Sequence, residues 1–118
     1  MATALRDRGE SRLYLGRRAE ALADAERALR IARKIQANKP YSRDSGFSLA
    51  LLSRVHASLG ETEKAKAEQA EALSQLSQSL GADHPFTLRA QALMQQSLRD
   101  GATPVPAPSP AAPSAPKG

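Results

Sequence analysis

Apolar residues recur along this chain with the period of an α-helix, interrupted at a few glycines and prolines. From Thr62 to Leu80, the positions Ala65, Gln69, Ala72, Leu73, Leu76 and Leu80 fall at steps of three and four, which places them on one helical face. Gly60 breaks the pattern before that run and Gly81 follows it, where a left-handed cap favours glycine, and Pro85 pre-sets the first turn of another helix. Residues 17–37 repeat the syntax, with Ala21, Ala25, Ala28, Leu29, Ala32 and Ile35 toward a core and Leu22 and Ile31 widening the stripe. Gly16, Ala21, Ala28 and Leu29 each stand 44 residues before Gly60, Ala65, Ala72 and Leu73. The sequence therefore predicts a repeated helical hairpin.

The remaining elements fit around these two. Residues 3–15 read as a first helix with Leu5, Leu13 and Leu15 as its apolar content, and Gly9 in its middle reads as a contact point. Asn38 is the expected left-handed cap of the second helix, Pro40 ends it, and Ser42, Asp44 and Ser45 are candidate N-caps for a third helix over 46–59. That helix carries Phe47, Leu51, Leu52, Val55 and Leu59, and a fifth from Pro85 carries Leu88, Ala92, Leu93 and Leu98 and ends before Gly101. The expected fold is all-α, with antiparallel helical hairpins stacked as a short right-handed solenoid of about five helices. Its domain spans 1–101, with units of about 3–40 and 45–82 and a capping helix 85–100. Residues 102–118 hold six of the eight prolines and read as a disordered Pro/Ala/Ser tail.

Composition narrows the chemistry. The chain has 118 residues with two Phe, two Tyr and no Trp, so one small core built of Leu, Ala, Ile and Val is expected. It has no cysteine, which excludes disulfides and thiolate metal sites. No apolar run approaches the roughly 20 residues of a membrane span, and residues 1–8 lack a signal-peptide core, so no membrane partner and a cytoplasmic location are expected. All of the +5 net charge arises in residues 1–40. Arg27, Arg30, Arg33 and Lys34 share the outer side of the second helix, partly neutralised by Glu20, Asp24 and Glu26. No aromatic residues interleave with them, so a solvated face is favoured over nucleic-acid binding. His56 and His84 lie on different elements with no nucleophile or metal-spaced carboxylates beside them, and no catalytic, metal or cofactor-binding residue is predicted.

Small residues at Gly9, Gly16, Ala21 and Ala28, and again at Ser53, Gly60, Ala65 and Ala72, resemble those of the tetratricopeptide repeat (TPR). The long period and the run Leu80-Gly81-Ala82-Asp83-His84-Pro85 resemble its kinesin-light-chain-like variety. Leu5 and Leu49 stand at that family's usual Trp position, and Arg12 and His56 at its usual Tyr position. A HEAT-like repeat of comparable period is the alternative fold.

The resemblance implies a non-enzymatic scaffold or adaptor that binds a peptide or protein segment in a concave groove. Arg6, Glu10, Leu13 and Tyr14 would face that groove from the first unit, Phe47, Ala50, Arg54 and Ser58 from the second, and Gln91, Gln95 and Arg99 from the last helix. Glu10 and Leu51 occupy places where the family's chaperone-tail clamp has Asn, so chaperone C-termini are not expected to bind. A second reading makes the chain the C-terminal portion of a larger regulatory protein, such as a bacterial signalling kinase or transcriptional regulator. In that case an exposed apolar side near Leu5 and Leu13 would drive self-association.

Overall fold

The computed structural model describes residues 2–102, which form five α-helices: α1 (Ala2–Tyr14), α2 (Arg18–Gln36), α3 (Arg43–Ser58), α4 (Thr62–Leu80) and α5 (Pro85–Ala102). Among the described residues there is no strand. The last helix runs through Gly101 to Ala102, past the end expected from the sequence. The segment read as a disordered tail, 102–118, otherwise lies outside the described residues.

Two turns are built alike. After α1, Gly16 takes a φ of 78°, and the Arg17 N–H donates to the Arg12 carbonyl at 2.8 Å. After α3, Gly60 takes a φ of 81°, and the Glu61 N–H donates to the His56 carbonyl at 2.9 Å. This hydrogen bond satisfies a carbonyl that the helix end would otherwise orphan, and it needs the left-handed residue that glycine supplies without steric cost. Short turns of this kind fold each pair, α1 with α2 and α3 with α4, into antiparallel neighbours.

The connection from α2 to α3 is longer and differs from expectation at its start. Ala37, not Asn38, is the left-handed residue, with a φ of 52°. Its N–H reaches back to the Arg33 carbonyl, and the Lys39 N–H bonds to Gln36, so the chain turns one residue earlier than the asparagine suggests. Of the three candidate N-caps, Ser42 is the one used, accepting from the Ser45 N–H at 3.2 Å. Polar side chains brace the junction: Ser45 Oγ donates to Gln36 Oε1 at 2.7 Å, and the Ser42 N–H donates to Gln75 Oε1 at 2.7 Å.

Helix α3 is the centre of the fold and touches the other four. Its residues from Ser45 to Ala57 are buried except Phe47, which is half-buried. Leu49, Leu51, Leu52 and Val55 join Ala21, Ala25, Leu29, Ala72, Leu76 and Met94 in the main core, while Leu5 and Ala28 pack with Ile31 in a smaller cluster. Alanines at 21, 25, 28, 65 and 72 let the helix axes approach, and all are fully buried. Gly46 shows how close that approach is, because an added Cβ would lie 2.8 Å from Leu76 Cδ2 and Cγ.

The apolar stripes depart from expectation at their ends. Ile35 is exposed, since it lies one turn beyond the contact of Leu5 with Ala28 and Ile31, near the N-terminal end of α1. Leu15 and Leu59 lie in the turns and are exposed. On α5 the buried positions are Thr87, Ala90 and Met94, while Leu88 and Ala92 face outward and Leu93 is half-buried. The helix is rotated from its expected setting because it packs on both α3 and α4. Leu5 is buried and Leu13 half-buried, so the apolar side expected to be open at α1 is covered within the chain.

Candidate functional site

Each hairpin is tied internally by a polar contact between equivalent positions. In the first, Asp24 on α2 is buried and accepts three hydrogen bonds from α1: Arg8 Nη2 at 2.8 Å and Nε at 3.0 Å, and Arg12 Nη1 at 3.0 Å. In the second, His56 Nδ1 on α3 lies 2.7 Å from Glu68 Oε1 on α4. Arg12 and His56 are one repeat apart, as are Asp24 and Glu68. The arginines crowded on α1 thus meet an inward carboxylate, and Asp24 belongs to the inner face of α2 rather than the outer face to which its spacing assigned it.

The two carboxyls respond in opposite directions. The hydrogen bond from Arg8 holds the Asp24 carboxyl below its ordinary value, against the opposing effect of burial and with help from the Arg12 and Arg8 charges. Burial pushes the Glu68 carboxyl up, against the stabilising hydrogen bond and charge of His56. Both pairs fix helix to helix and lie apart from a groove lined by three helices.

That groove, about 360 Å³, opens between α1, α3 and α5. It is lined by Arg6, Asp7 and Glu10 from α1, by Phe47, Ala50, Leu51 and Arg54 from α3, and by Phe86, Arg89, Ala90 and Leu93 from α5. Its floor is apolar, and Phe47 and Phe86 meet edge to face with ring centroids 6.2 Å apart. The Arg6 guanidinium sits 5.4 Å from the Phe47 ring centroid, and Arg54 sits 5.8 Å from that of Tyr14. Arg54 also donates to Glu10 Oε2 at 3.1 Å, which links α3 to α1 across the wall. Burial draws the Arg6 guanidinium below its ordinary value, with Asp44 pulling the other way from 3.6 Å. The entry of α5 is set by His84, whose Nδ1 accepts the Phe86 N–H at 3.0 Å and whose ring packs on Phe86.

Of the residues assigned to the groove from sequence, Arg6, Glu10, Phe47, Ala50 and Arg54 come together in this lining. Tyr14 is exposed and touches it through Arg54. Leu13 packs against the core, and the Ser58 hydroxyl donates to the Val55 carbonyl, so neither lines the groove. Gln91, Gln95 and Arg99 lie elsewhere on α5. The step from α3 to α5 is shorter than the step from α1 to α3, so carrying the 44-residue period forward lands past the lining residues. A signal for the right register is present, because Phe47, Ala50, Leu51 and Arg54 have the same internal spacing as Phe86, Arg89, Ala90 and Leu93.

The basic residues of α2 lie on its solvent side: Arg27, Arg30 and Lys34 are exposed, and Arg33 pairs with Glu71 of α4 at 2.8 Å. Among the described residues no group of His, Cys, Asp or Glu could hold a metal ion, and no helix is long and apolar enough to cross a membrane. Compared with known proteins, the chain matches no family model, no curated protein and no solved structure.

Proposed function

We propose that the chain is a protein-interaction module, a short TPR-like helical array that receives an extended peptide or protein segment in the groove between α1, α3 and α5. The observation that carries this reading is the groove itself. Three helices that alternate along the chain contribute matching positions to one lining that joins an apolar floor to charged walls. Such a surface suits a ligand that buries side chains on the floor and meets the walls with polar groups. The paired turns at Gly16 and Gly60 and the paired contacts Arg12 with Asp24 and His56 with Glu68 support a repeating unit, in which alternate helices face the same side.

The test is selection of peptides from a random library by the full chain, followed by the same selection with Leu93→Arg. Leu93 is a half-buried residue of the groove wall, and a bulky cation there fills the floor. Enrichment of a sequence motif that the variant no longer retains supports the reading. Absence of any enriched motif, or a motif retained equally by the variant, overturns it.

A further inference from the structure

The end of the fold where α2 gives way to α3 carries more positive charge than it neutralises. Gln36, in the last turn of α2, gathers the connection around itself: its carbonyl accepts the Lys39 N–H at 3.0 Å, its Nε2 donates to the Lys39 carbonyl at 2.8 Å, and its Oε1 accepts from Ser45 Oγ at 2.7 Å. Lys34, Lys39 and Arg43 are thereby brought to one end of the molecule. These three and Arg30 are exposed, and their side chains make no hydrogen bond or ion pair among the described residues. The carboxylates nearby face other cations, since Glu71 accepts from Arg33 at 2.8 Å and Asp44 stands 3.6 Å from Arg6.

Helix geometry explains only part of this excess. The C-terminus of α2 favours cations, which accounts for Arg33 and Lys34. Arg43 is the opposite case, because it is the first residue of α3, where the helix dipole disfavours positive charge. Burial draws the Arg6 guanidinium down, and the charge of Arg43 acts on it in the same direction. A cation is therefore held where its own fold repels it.

Two apolar side chains stand among these charges. Ile35 is 70 % exposed and Tyr41 43 %. Ile35 continues the inner stripe of α2 beyond Ala28 and Ile31, the residues that Leu5 of α1 covers. Cations flanking exposed aliphatic and tyrosyl groups match a lipid interface, where headgroup phosphates take the charges and the acyl boundary takes the apolar tips. A nucleic-acid strand would meet the charges and leave Ile35 in water, and α2 gives it no aromatic ring on which to stack.

We infer that this end of the fold docks on an anionic phospholipid surface, with Lys34, Lys39 and Arg43 at the headgroups and Ile35 and Tyr41 at the edge of the acyl layer. The expectation of no membrane partner rests on the lack of a spanning segment, and peripheral docking needs none. The residues lie outside the groove lining, so this surface is independent of the peptide reading.

The experiment is sedimentation of the full chain with vesicles of phosphatidylcholine alone, and with vesicles in which one quarter of the lipid is phosphatidylserine, at low and at high salt. Binding is expected to the anionic vesicles only, and it weakens as salt screens the charges. Lys34→Glu should weaken it about tenfold and Ile35→Ser about fivefold. Lys66→Glu makes the same charge change on an exposed position of α4 and should leave binding unaltered. All three residues are exposed, so the variants keep the fold. No binding to the anionic vesicles, equal binding to both kinds, or equal losses from Lys34→Glu and Lys66→Glu would overturn the proposal. Vesicle binding indifferent to Ile35→Ser would overturn it as well. Tighter binding of an oligouridylate than of the vesicles, lost with Lys34→Glu, would give the surface to nucleic acid instead.

Discussion

Glu10 and Arg54 stand 44 residues apart, at the same position of successive hairpins, and meet as an ion pair of 3.1 Å. The repeat thus places opposite charges side by side on neighbouring helices of one groove wall. Arg54 is the more buried partner, so removing Glu10 leaves the more shielded charge without its acceptor. A double-mutant cycle of Glu10→Gln and Arg54→Gln, read by urea unfolding, is expected to give a coupling of about 0.5 to 2 kcal/mol. Additive single effects would show that the pair does not join α1 to α3.

Gly9 in α1 and Gly46 in α3 should differ in their response to alanine. At Gly46 the new Cβ meets Leu76 Cδ2 and Cγ at 2.8 Å, and Leu76 is itself fully buried in the core with no free space to turn into. At Gly9 the nearest atom is Leu51 Cδ2 at 3.0 Å, the far end of a side chain that can turn. Gly46→Ala should therefore cost about 1 to 3 kcal/mol despite the helix propensity it gains, and Gly9→Ala clearly less. Thermal melting of the two variants compares them directly.

Acid should loosen the first hairpin. The Asp24 carboxyl is held below its ordinary value, chiefly by Arg8, so the folded state prefers it ionised. Its contribution is fully present above about pH 4, the unfolded value of an aspartate, and is lost as pH falls through the lower folded value. Asp24→Asn should cost about 1 to 3 kcal/mol at neutral pH and flatten the acid side of the stability profile. A variant with an unchanged acid slope would place the sensitivity elsewhere.

The end of α2 carries removable strain. Ala37 has a φ of 52°, which side chains with a Cβ adopt at a cost. Ala37→Gly should stabilise the protein by about 0.5 to 1 kcal/mol and raise the melting temperature by a few degrees. A lower melting temperature would contradict this.

The all-α class and all five helices are legible in the sequence because glycine, proline and alanine at fixed spacings carry strong local information. Gly16 and Gly60 announce the turns that the structure contains, and Ala21, Ala28, Ala65 and Ala72 announce the tight contacts. What the sequence does not show is which face of a helix wins when two neighbours compete for it. Leu88 and Ala92 look like the stripe of α5, yet Thr87, Ala90 and Met94 are buried because α3 and α4 both bear on it. Asp24 looks like a surface charge until α1 brings two arginines to it. In the groove, the positions carried over from the TPR resemblance include Arg6, Glu10, Phe47, Ala50 and Arg54, while the shortened step to α5 hides Phe86, Arg89 and Leu93.

The most direct test of the groove as the recognition surface is an NMR footprint of the full chain with its best library-selected peptide. The account predicts that shifts concentrate at Phe47, Ala50, Arg54, Phe86 and Leu93, with α2 and α4 unchanged on their outer sides. Shifts concentrated instead at Arg27, Arg30 and Lys34 would contradict it and move recognition to the basic face of α2.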